Sequence, residues 1–158
     1  MQVKLRTVDT IFDDVEAVRH RIAARAAEVF KQHSGAIGHA LEDWLQAERE
    51  TVWRPAMEVR RTRDAFIIRV AAAGLDPKLI DLRVTPTELL LAADVHHDDP
   101  RQDGDALLCE FASGPLFRDY TFPERVDTVR VSAEYRNGML QVTAPLAHPA
   151  TRVTVEAA

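Results

Sequence analysis

"AEYRNGML", residues Ala133 to Leu140, sets an Asn-Gly pair between two alternating runs. Val129, Val131, Ala133 and Tyr135 fall on every second position before it, and Leu140, Val142 and Ala144 do so after it. A period of two places such residues on one side of a pleated strand. Asn-Gly suits a type I′ turn, which needs positive φ at both central residues. The stretch therefore predicts strand, Asn137-Gly138 turn, strand.

The same period extends upstream to Pro55. Met57 and Val59 alternate with Glu58 and Arg60; after a turn at Arg63-Asp64, Phe66, Ile68 and Val70 share one face, with Ile67 and Arg69 on the other. Leu82 and Val84, then Leu89 to Val95, make another pair around Pro86-Thr87-Glu88, whose proline and polar residues favour a turn. Beyond the polar loop "HHDDPRQDGD", short strands are expected at Leu107 to Phe111 and Phe117 to Phe122. Seven or eight strands without a helical period predict an antiparallel, immunoglobulin-like β-sandwich over 55–147, about ninety residues, an ordinary domain size.

Before Pro55 the period is helical. Ile11, Val15, Val18, Ile22, Ala26 and Val29 recur at three and four residues, so a helix is expected over Asp9 to Gln32, opened by Thr10 with Asp13 and closed by Gly35. Leu41, Trp44, Leu45, Glu48 and Val52 continue that spacing to about Thr51. Residues 1–54 thus read as an α-helical hairpin. Trp44 is expected between the helices and Trp53 at the junction with the sandwich, although either could contact a partner.

Of the 158 residues, 46% are hydrophobic, enough for one moderate domain and an appendage. No apolar run approaches the ~20 residues of a membrane span, and "MQVKLRTVDT" lacks the apolar stretch of a secretory leader. A single cysteine, Cys109, excludes an intrachain disulfide and fits a cytoplasmic location. A net charge of -5 with interspersed signs disfavours nucleic acid, whose backbone demands clustered Lys and Arg. No phosphate loop, nucleophile elbow or paired-cysteine spacing is present, so no catalytic residue, cofactor or metal is expected. His96-His97 beside Asp98-Asp99 reads as a solvated loop, and His39 with Asp43, four apart, as a surface pair or cap.

Prolines at 145 and 149 prevent the sheet from continuing, and the chain from Ala147 is expected to leave as an arm, residues 148–158. Val153 and Val155 then project to one side, either as a frayed end or as prongs for a neighbouring subunit.

These pieces resemble the small heat-shock protein (alpha-crystallin domain) family. Ala133, Asn137, Gly138 and Leu140 match its A-x-x-x-N-G-x-L signature; "FRDYTFPERVD" is similar to its arginine-bearing strand and following acidic loop; Val153-x-Val155 matches its C-terminal I-x-I/V motif. "VAAAGLDPKLIDLRV" resembles another family stretch, with Ala73-Gly74 where Pro-Gly is usual. The helical segment also resembles a bacterial helical-hairpin family of unknown function, and departs from the Phe-rich arm common among small heat-shock proteins.

The resemblance implies an ATP-independent chaperone, a holdase, that binds partly unfolded client proteins and forms homo-oligomers from a dimer. It implies a tail-docking groove lined by Leu82, Val84 and Val131, filled by the two tail valines. It implies strand exchange in which Leu107-Leu108 pairs near Met57 and Val59 of a second copy, with Arg118 at that interface; spacing alone leaves a local hairpin equally open. A non-chaperone adaptor that uses the helical hairpin to bind a folded partner is the alternative.

Overall fold

The alternating segments fold as two stacked sheets, with the helical segment laid on the outer face of one. The computed structural model describes residues 3–33, 38–95, 104, 107–108, 110 and 114–147. In chain order these form β1 (Lys4–Thr7), α1 (Phe12–Gln32), α2 (Ala40–Thr51), β2 (Met57–Arg61), β3 (Ala65–Ala71), β4 (Asp81–Val84), β5 (Glu88–Val95), β6 (Gly114–Thr121), β7 (Ser132–Arg136) and β8 (Met139–Pro145). One sheet runs β1-β4-β5-β6, the other β2-β3-β8-β7. All of these pairings are antiparallel except β1 on β4, which is parallel.

The Asn-Gly hairpin forms as expected. Arg136 pairs with Met139, and Asn137 and Gly138 adopt φ of 50° and 75°. Glycine also meets a packing demand, since a Cβ at 138 would lie 3.1 Å from that of Ala73. The Gly138 carbonyl accepts the Ala72 N–H at 2.8 Å, so this hairpin is docked on the Ala72 to Leu75 turn. That turn closes without the usual proline, through Gly74 at φ 85° and the Leu75 N–H donating to the Ala72 carbonyl.

Between the sheets lie Phe66, Ile68 and Val70 of β3, Leu82 and Val84 of β4, Leu89 and Leu91 of β5, and Leu140 and Val142 of β8. Leu90 points the other way. With Phe117 it meets Ile11, Val18, Ile22, Ala47 and Val52 in a second apolar cluster under the helices, where Trp44 is half-buried. Burial of β5 on both faces explains why its sequence is a continuous apolar run. Trp53 joins the helical segment to the sandwich: its N–H donates to the Pro115 carbonyl at 2.9 Å, and its carbonyl accepts the Phe117 N–H at 3.1 Å.

Several boundaries differ from the sequence expectation. Helix α1 begins at Phe12, whose N–H donates to Thr10 Oγ1 at 3.0 Å, and the expected stop at Gly35 lies outside the described residues. Strand β7 begins at Ser132 instead of Val129, because Asp127 captures the Val129 N–H and the Arg130 side chain in a turn, leaving Val129 89% exposed. Leu107, Leu108 and Glu110 belong to no strand, and Leu107 is 98% exposed; the rest of that expected strand lies outside the described residues. The clearest departure is β1, formed where no element was expected.

Candidate functional site

Chemistry by association happens where sheets end, because a strand margin carries backbone groups that seek partners. The sandwich has two such margins. At one, β1, paired to β4, faces β7. Leu82, Val84 and Val131, expected to line a tail-docking groove, are all buried, and β1 packs against them. Leu5 is in register with Leu82 and Thr7 with Val84, while the Val8 N–H donates to the Val84 carbonyl at 3.0 Å. Parallel partners share a face, so Val3 and Leu5 turn inward with Leu82. Val3 is only 4% exposed, and both residues join the cluster that contains Leu82, Val84, Val131, Ala133 and Tyr135.

Outside this apolar seam runs a chain of ion pairs. Arg6 Nη2 donates to Asp81 Oδ1 at 2.7 Å; Arg83 Nη2 donates to Asp81 Oδ2 at 2.8 Å; and Arg83 Nη1 donates to Asp14 Oδ2 at 2.6 Å on α1. Burial acts to raise the Asp81 carboxyl, but the Arg6 and Arg83 hydrogen bonds together outweigh it and hold the group below its usual range.

At the other margin, β6 and β2 end their sheets on the flank where the chain passes from Trp53 directly into β2. Met57 and Val59 are half-buried on β2, and among the described strands β2 pairs only with β3. Arg118 pairs with Leu91 and falls on the same face of β6 as Leu116 and Tyr120, so its stem points between the sheets. Its Nε is buried and lacks a partner among the described residues. Burial, followed by repulsion from Arg54, lowers the Arg118 guanidinium from its ordinary value against the weaker pulls of Asp119 and Glu48.

Ala133 is half-buried on β7 and Leu140 fully buried on β8, either side of the Asn137-Gly138 turn. The Asp43 side chain does not pair with that of His39; it is buried and its Oδ1 hydrogen-bonds His33 Nδ1 at 2.8 Å, whereas the His39 ring approaches Glu42. Val153, Val155, Cys109 and the His96 to Asp99 group lie outside the described residues. Sequence reasoning missed Val3, Leu5 and Arg6. The signal was Val3-x-Leu5 with basic residues between and after, an alternation too short to distinguish from coil.

Two stacked sheets, antiparallel but for β1, together with a docked Asn-Gly hairpin and an arginine on the core face of an edge strand, define an alpha-crystallin-type sandwich. The description "Hsp20/alpha crystallin family" matches residues 58–156, and the chain belongs to that family. It is similar to spore protein SP21 of Stigmatella aurantiaca, 31% identical over 91 residues, which cover 58% of this chain and 54% of that protein. It is also similar to a probable 15 kDa heat shock protein of Leptospira interrogans, 25% identical over 105 residues, covering 66% of this chain and 79% of that one. Among solved structures, heat shock protein 16.0 from Schizosaccharomyces pombe superposes with a TM-score of 0.58 at 21% identity, over 67% of this chain and 98% of that chain. A small heat-shock protein from Xylella fastidiosa gives 0.55 at 18% identity, over 67% and 97%. These last two likenesses establish the fold. Small heat-shock proteins are non-enzymatic chaperones, and membership supports a general ATP-independent chaperone role. Among the described residues, no helix is long and apolar enough to cross a membrane.

Proposed function

We propose that this protein is a holdase, which binds partly unfolded clients without ATP and keeps them from aggregating. The observation that carries the reading is the outer edge of β2, unpaired among the described residues, on the same flank as a buried Arg118 nitrogen with no partner there. Unfolding clients expose strand edges and apolar segments, and a sandwich margin of this kind engages both. In the same reading, copies form a dimer when the Leu107-Leu108 segment of one pairs beside Met57 and Val59 of another. A carboxylate of the second copy then meets Arg118. Dimers join through Val153 and Val155 at the β4–β7 margin, each weak contact summing over many tails. The work is done in the cytoplasm, away from membranes and nucleic acid.

The test is light scattering from a heat-aggregating client without nucleotide. Suppression near equimolar subunits is expected, and scattering unchanged at every temperature would sink the reading. A second reading, an adaptor for one folded partner, is favoured by exposed Leu41 and Leu45 one turn apart on α2. It requires indifference to unfolding clients together with capture of a single specific protein.

A further inference from the structure

We propose that β1 is a removable occupant of the tail-docking groove, and that the C-terminal segment Arg152 to Val155 of a second copy replaces it with the opposite strand direction. The inference rests on the tail-docking reading above and adds to it the state of the groove and the polarity of its ligand.

Val3-Lys4-Leu5 and Val153-Thr154-Val155 have the same grammar: two aliphatic residues separated by one. The first already fills the space over Leu82, Val84 and Val131, with Val3 buried and Leu5 packed on the same cluster. One seam of hydrogen-bonding groups on the outer side of β4 accepts one strand, so the two segments exclude each other. Charge decides the direction. In β1 the basic residue that holds Asp81, Arg6, follows the second aliphatic residue. In the tail the basic residue, Arg152, precedes the first, and Glu156 follows the second. A tail laid parallel to β4 like β1 would bring Glu156 to Asp81. Laid antiparallel, Val153 takes the place of Leu5, Val155 that of Val3, and Arg152 that of Arg6. The ion pair to Asp81 is then conserved through the exchange.

Because the groove is free only while β1 is away, the tail's apparent affinity is its intrinsic affinity reduced by the fraction of molecules with β1 released. The test uses a fluorescent peptide of residues 148–158 and full-length chains bearing Val153→Ser and Val155→Ser, so that their own tails do not compete. One chain also carries Val3→Ser and Leu5→Ser. Another carries Arg6→Cys and Arg83→Cys with Cys109→Ser; neighbouring strands lie about 4.8 Å apart, within disulfide reach. The oxidised clamp is expected to bind no peptide and to recover binding on reduction. The Val3/Leu5 variant is expected to bind at least about tenfold tighter than the chain with native β1, and Arg152→Glu in the peptide to weaken binding by a similar factor.

Equal binding by oxidised and reduced clamp overturns the gate while leaving tail docking standing. No binding by any chain, the reduced clamp included, overturns tail docking itself and the gate with it. An Arg152→Glu peptide that binds undiminished overturns the reversed direction. Assembly of Val3→Ser/Leu5→Ser chains with native tails must grow with concentration; a size independent of concentration overturns the second-copy source.

Discussion

The two margins of the sandwich are finished differently. At the β4–β7 side, apolar residues from the extreme N-terminal part of the described chain close the seam and an arginine locks it from outside. At the β6–β2 side, the charged residue faces inward and its Nε is left without a partner among the described residues. Burial of aliphatic surface stabilises a margin whether or not another copy is present. A desolvated, unpartnered guanidinium nitrogen does the reverse, costing roughly 1 to 3 kcal/mol until something accepts from it. One margin is thus filled by the chain's own β1, while the other leaves a donor unmet among the described residues.

The contrast breaks most visibly in the core of the closed margin. Leu82→Ala should lower unfolding free energy by about 2 to 5 kcal/mol, because Leu82 is fully buried between the two sheets beside Leu5; urea denaturation would show it, and a loss under 1 kcal/mol would mean the seam is loosely packed. Val3→Ala removes less apolar surface, so about 1 to 2 kcal/mol is expected. Its telltale is local: amide exchange should accelerate in Leu5 to Val8 before the rest of the sheet. At the open margin, Arg118→Met should leave subunit stability within about 1 kcal/mol of the native value or raise it, since the unmet donor is gone. The same variant should fall apart to smaller species in sedimentation at equal concentration. A large fall in subunit stability would place Arg118 among the structural residues and erase the contrast.

The smallest effect is on acidity. The Asp81 carboxyl titrates lower in the folded chain than its ordinary value of about 3.8. The unfolded chain therefore binds this proton more readily, and the contribution is complete above that ordinary value and lost as pH falls through the depressed folded one. Protection of the β1 amides should be flat from neutral pH to about 5 and should decline below about 4. Asp81→Asn should abolish that decline, and a decline that persists would point to another group.

The sandwich was legible because its strands speak locally. Phe66, Ile68 and Val70 alternate, and Asn137-Gly138 has few other uses than the turn it makes. The helical stripe from Ile11 to Val29 was equally plain, and its buried members are those that the spacing selected. What a local pattern lacks is the identity of the neighbour. Leu82 and Val84 were recognisable as apolar strand residues beside a groove, but nothing near them in sequence states that residues more than seventy positions earlier lie on top. Val129 failed for the opposite reason: it fits the alternation, yet Asp127 offers its neighbours hydrogen bonds that a strand would have to give up. The electrostatic setting of Arg118, burial beside Arg54 and Glu48 from the end of the helical segment, is invisible without coordinates.

Trp53 has a consequence for the shape of any polymer this chain builds. Its main chain occupies the rung beside Pro115 and Phe117, while β1 stands on the far border of the same layer. Ribbon-like lengthening of that layer at its β6 border therefore requires Trp53 to be peeled away first, whereas at the other border β1 is itself the outermost strand. The outer edge of β2 carries no such cover among the described residues, so it is the cheaper of the two edges on that flank for another strand to join.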